Sequence, residues 1–117
     1  MRRLAALALA VTVAIAASPA VAVTEGDLRA AFGNTIVSTH PDGRKAKLWL
    51  NADRTFTAQG RKGNRERETW NIRGGKLCLQ QRLLSYCKAF PKVSVGSTWR
   101  DRAVNGEMVT NALVAGR

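Results

Sequence analysis

Few side chains in this sequence carry the chemistry of a reactive centre. His40 is the only histidine, and it stands in His40-Pro41-Asp42-Gly43, a run that reads as a strand end and turn. General-base or metal chemistry needs companions at fixed distances. The chain offers no second histidine, no Gly-x-Ser-x-Gly elbow, no glycine-rich phosphate loop before a helix and no acids at metal-ligand spacing. His40 is therefore expected in a turn or on the surface. Glu66 and Glu68 are the one pair of acids on a common strand face, as a glycosidase-like pair would require. Arg65, Arg67 and Arg73 stand close by in sequence, so solvated ion pairs are the expectation. No catalytic residue, cofactor or metal ligand is assigned, and no enzyme is expected.

Binding chemistry is better represented. The segment Arg61-Lys62-Gly63-Asn64-Arg65-Glu66-Arg67 holds four bases and one acid. Arg61, Lys62, Arg65 and Arg67 are the candidate anion-binding residues, able to clamp phosphate or carboxylate groups; the plainer reading is a solvated loop that keeps the domain soluble. Trp49, Trp70 and Trp99 could serve as stacking platforms. Trp70 and Trp99, however, fall in step with other apolar residues and are expected in the core. Trp49 alternates with Leu48 and Leu50, which places it on the other face, against a helix or in solvent.

The elements that must position these residues belong to one domain, since 117 residues leave no room for two cores. Nineteen basic against eight acidic residues give +11, which favours an anionic partner without naming it. The N-terminus reads as a secretory leader over 1–22: the basic pair Arg2-Arg3, an apolar run over 4–17, and Ala20-Val21-Ala22 as a cleavage signal before Val23. The apolar run is too short for a membrane span, which needs roughly 20 residues, so no transmembrane anchor is expected. Without Arg2 and Arg3 the domain over 23–117 keeps +9. Export to the periplasm or beyond brings oxidising conditions in which Cys78 and Cys87 can pair. If a turn centres between Arg82 and Leu83, the two cysteines face each other across a hairpin, and closing so short a loop is worth about 2–3 kcal/mol.

A short helix is expected after the cleavage point, with Thr24 as N-cap, Glu25 and Asp27 in its first turn and Gly33 as its stop. Its apolar stripe of Leu28, Ala31 and Phe32 must lie against something larger. Eight antiparallel strands follow, over 35–39, 45–51, 55–60, 66–73, 76–81, 85–90, 97–104 and 107–115, separated by turn residues. Registers that bring apolar residues to one face set Leu50 against Phe56, Leu48 against Ala58, Ile72 against Leu77, Trp70 against Leu79, Leu79 against Tyr86 and Trp99 against Ala112. Strands so patterned predict a mainly β fold, a small up-and-down β-barrel preceded by a short helix.

The exported N-terminus, the helix ending in Gly33-Asn34-Thr35, the strand around Trp70, and Leu77-Cys78-Leu79 with a returning Cys87 together resemble small bacterial periplasmic lipocalin-like (calycin-like) domains of unknown function. The resemblance implies fold and location and transfers no catalytic residue. The chain departs from that pattern at Asp53-Arg54, where such domains carry Asp-Gly; Arg54 would then take a left-handed backbone without glycine's freedom. The expectation is a non-enzymatic exported barrel that binds a small or polymeric anionic ligand of the cell envelope. A basic nucleic-acid-binding barrel is the alternative, which export disfavours.

Overall fold

Alternating side chains and short turns produce eight antiparallel strands: β1 Thr35–Thr39, β2 Lys45–Leu50, β3 Thr55–Gln59, β4 Arg65–Arg73, β5 Lys76–Gln81, β6 Leu84–Lys88, β7 Thr98–Arg102 and β8 Met108–Val114. The computed structural model describes residues 22–117, so the leader expected over 1–22 lies, apart from Ala22, outside the described residues. Hydrogen-bonded neighbours run β6-β5-β4-β3-β2-β1-β8-β7. That is the cyclic order of an up-and-down barrel interrupted once, between β6 and β7. The sheet curls into a half-barrel, and β4 helps it turn: residues 65–69 pair with β3, whereas residues 70–73 pair with β5.

Most registers follow from the apolar pattern. Leu50 faces Phe56 and Leu48 faces Ala58, Ile72 faces Leu77, Trp70 faces Leu79, and Leu79 faces Tyr86. Cys78 lies opposite Cys87, and the two form a disulfide. The last hairpin differs from expectation by one residue, for Trp99 faces Asn111 and Ala112 faces Thr98. The cause is the turn. Asn105-Gly106 is not a two-residue connection; Ala103 N–H donates to the Glu107 carbonyl at 2.8 Å, enclosing a three-residue loop with Gly106 left-handed at φ 85°. A slip of one residue exchanges the faces of a strand, and here it brings Asn111 inside.

The loops 41–43 and 61–63, and the turn 52–54, close with the same pair of backbone hydrogen bonds. In the last of these the left-handed position is held by Arg54, at φ 69°. An L side chain there costs about 1–2 kcal/mol, and its contacts offset the cost. The Arg54 guanidinium lies 3.4 Å from Glu25 and 5.7 Å from the centre of the Trp70 ring, while its carbonyl accepts the Trp70 N–H at 2.8 Å.

A 3-10 helix, Glu25–Ala31, precedes the sheet. Thr24 caps it as expected: the Thr24 backbone N–H and hydroxyl both donate to Asp27, in a reciprocal capping box that holds the Asp27 carboxyl below its usual range. Leu28 and Ala31 are buried in one cluster with Leu50, Phe56, Trp70 and Leu113. Phe32 stacks on Trp70 at 5.9 Å, and the Trp70 indole N–H donates to the Asn51 carbonyl at 2.9 Å. Helix and aromatic residues thereby close one end of the half-barrel. Val23 joins them, buried, with its N–H donating to the Gly75 carbonyl at 2.8 Å.

Candidate functional site

The inward side chains shrink from the helix end toward the other. Along β1 Ile36 gives way to Ser38; along β2 Leu50 and Leu48 give way to Ala46; along β3 Phe56 gives way to Ala58 and then Gly60. Large residues fill the first end, and small ones leave a hollow of about 330 Å³ at the second. Strand alternation puts the turns 41–43, 61–63, 82–83 and 104–106 around that mouth.

The wall is mainly apolar, with Ala46, Leu48, Ala58, Leu79 and Val109, but polar groups converge on it. Asn111 is 1% exposed; its Oδ1 accepts the Ser38 hydroxyl and its Nδ2 donor has no partner among the described residues. Lys88 also lines the hollow, its side chain 19% exposed, with Nζ 3.6 Å from Asp101 Oδ2. At that distance the pair attracts without a close hydrogen bond. Burial pushes the Lys88 ammonium below the ordinary lysine range, and Asp101 draws it partly back. The Tyr86 hydroxyl, also on the wall, donates to the Arg102 carbonyl at 2.9 Å. Burial, with the Asp101 charge, pushes Tyr86 up.

His40 begins a turn, one of the two places expected for it, but its side chain is 9% exposed and lines the hollow, with Nδ1 3.6 Å from Glu107. Glu66 and Glu68 face the same side as Ala58 and Phe56, and neither makes an ion pair among the described residues. The solvated pairs expected for them are absent there because Arg65 and Arg67 alternate to the opposite face.

The four candidate anion-binding residues do not converge. Arg61 reaches across the mouth to Asp42 at 3.4 Å and Glu107 at 3.3 Å, tying three turns together. Lys62 is exposed at the loop tip. Arg65 lies on the outer face, 5.5 Å from the centre of the Trp49 ring, and Arg67 stands exposed opposite Thr57. Trp49 is neither free in solvent nor under the helix: it is half-buried, and its indole N–H donates to the Thr35 hydroxyl at 2.9 Å. Trp99 is half-buried and forms a T-shaped pair with Phe90, ring centres 5.6 Å apart.

A second hollow, of about 540 Å³, lies beside Phe90, Trp99 and Asp101. Lys88 lines the first hollow and Asp101 the second, so their ion pair stands between the two. Among the described residues no three His, Cys, Asp or Glu side chains come together as metal ligands.

Sequence reasoning passed over Asn111 and Lys88. The one-residue slip in the last hairpin hid Asn111. Lys88 was legible, because an inward Tyr86 implies an inward residue two positions on. No protein-family model, curated protein or solved structure matches the chain.

Proposed function

We propose that this domain is an exported, lipocalin-like binding protein whose hollow takes a small amphipathic anion, a carboxylate on an apolar body, without transforming it. The observation that carries the reading is the Nδ2 of Asn111, a fully buried donor without a partner among the described residues, on the wall of a largely apolar hollow. A buried donor without an acceptor costs free energy, about 1–3 kcal/mol, which a ligand oxygen would recover. Lys88 supplies the charge, and alanines and leucines supply the apolar wall. At about 30 Å³ per water-sized group the volume holds about a dozen heavy atoms.

Decanoate meets that description and decanol is its uncharged counterpart. Calorimetric titration should show the carboxylate bound more tightly than the alcohol, with Asn111→Leu and Lys88→Met each weakening decanoate by about tenfold or more. Equal binding of acid and alcohol would remove the headgroup assignment. Failure of both to bind would remove the site.

A further inference from the structure

The turn between β5 and β6 breaks two rules of surface design at once. Leu83 is 98% exposed and Leu84 75% exposed, an apolar pair at a hairpin tip where polar residues are expected. Just before them Arg82 adopts φ 52° at the first central position of a two-residue turn, a place that favours glycine. An arginine is thus held, at a conformational cost, directly against two bare leucines.

The neighbouring hairpin adds to the patch. Val104 is 65% exposed and Met108 37% exposed. The Tyr86 hydrogen bond to the Arg102 carbonyl holds the two hairpins side by side, and Gln81 and Val104 border the same hollow. Cations frame the apolar tip: Arg82 and Lys62 are exposed and make no ion pair among the described residues, and Arg102 is exposed as well. A protruding tip of two leucines falls far short of the roughly 800 Å² per partner that a stable protein interface buries. An apolar apex with a cationic collar suits a bilayer interface, where side chains enter between headgroups and bases meet anionic lipid.

We infer that the Arg82-Leu83-Leu84 tip, with Val104 and Met108 beside it, docks this domain onto an anionic lipid bilayer, mouth toward the membrane. No helix among the described residues is long and apolar enough to cross a membrane. The tip acts whether or not the hollow is occupied.

The test is co-sedimentation of the full domain with vesicles of mixed phosphatidylcholine and phosphatidylglycerol, against vesicles of phosphatidylcholine alone. Binding should need the anionic lipid and weaken with salt. The double change Leu83→Ser with Leu84→Ser should lower partitioning by about tenfold or more at an unchanged melting temperature, since neither side chain packs in the core. Arg82→Gly separates docking from folding: it relieves the left-handed arginine, so the protein should melt higher while binding falls about five-fold. Undiminished sedimentation of the serine variant would overturn the inference, as would equal binding to neutral vesicles or none to either. Loss of self-association in that variant, without vesicle binding, would assign the tip to a second copy of the chain instead and overturn it too.

Discussion

The Tyr86 hydroxyl donates to the Arg102 carbonyl across 2.9 Å, joining two strands that share no ladder. With the Lys88 to Asp101 ion pair at 3.6 Å, it is what ties β6 to β7 by polar contact among the described residues. Elsewhere around the half-barrel each strand is held by rows of backbone hydrogen bonds. The β6–β7 seam depends on individual side chains, and it is where the wall can open at least cost.

Tyr86→Phe removes one hydrogen bond and keeps the ring. The protein should fold, lose about 1 kcal/mol and melt roughly 4–8 °C lower. Hydrogen exchange should quicken at the amides of β6 and β7 while β2 and β3 hold their protection. A uniform increase across all strands would show that the seam is not a separate opening unit.

Trp70 and Trp49 differ in environment although both lie on strands. Trp70→Ala removes a buried ring stacked on Phe32 and bonded to the Asn51 carbonyl, and should cost about 3–5 kcal/mol. Trp49→Ala removes a half-buried ring with one hydrogen bond and an arginine over its face, and should cost about 1–2 kcal/mol. Denaturant melts of the two variants, disulfide intact, measure the difference.

Replacing Cys78 and Cys87 together by serine should cost about 2–3 kcal/mol, read as a lower denaturant midpoint. Non-reducing mass spectrometry of the wild-type domain should show two hydrogens fewer than the reduced chain. Two alkylatable thiols in the native protein would contradict the bridge.

If decanoate binds as proposed, Lys88 should make its binding and the domain's stability respond to pH in opposite senses. Burial holds its folded pKa below the ordinary 10.5, so between the two values the unfolded chain binds more protons and stability rises with pH. Below about pH 9 Tyr86 does not interfere, because its hydroxyl is pushed above 10.0 when folded and stays protonated in both states. Decanoate bound there would favour the charged ammonium, so its affinity should fall as pH rises through the folded value. Lys88→Met should flatten that affinity profile; an unchanged slope would show that another group carries it.

The basic quartet should respond unevenly to substitution. Arg61→Gln releases Asp42 and Glu107 and should loosen three turns, visible as faster amide exchange over 41–43 and 104–106. Lys62→Gln with Arg67→Gln should instead weaken retention on an anionic matrix without lowering the melting temperature. Equal effects of all three on both measurements would mean that only net charge counts.

The sequence by itself determined the strands, most registers and the disulfide. Period-two alternation and turn residues act over a few neighbours, and a wrong register would expose Trp70 or Ile72 to solvent. The capped helix was equally local, legible from about four residues, whereas the left-handed Arg54 was expected only from the resemblance to domains that carry Asp-Gly there. What only the tertiary structure decided depended on residues distant in sequence. Whether the last turn held two residues or three was settled by the pairing of β8 with β1, and with it the burial of Asn111. The hollow arises because small residues of three adjacent strands happen to lie at one end, and the seam because β6 and β7 meet without a ladder. The meaning of the basic residues changed for the same reason: charge density is a property of sequence, whereas the partner that each charge finds, Glu107 for Arg61 and Trp49 for Arg65, is set by which turns and strands the fold brings together.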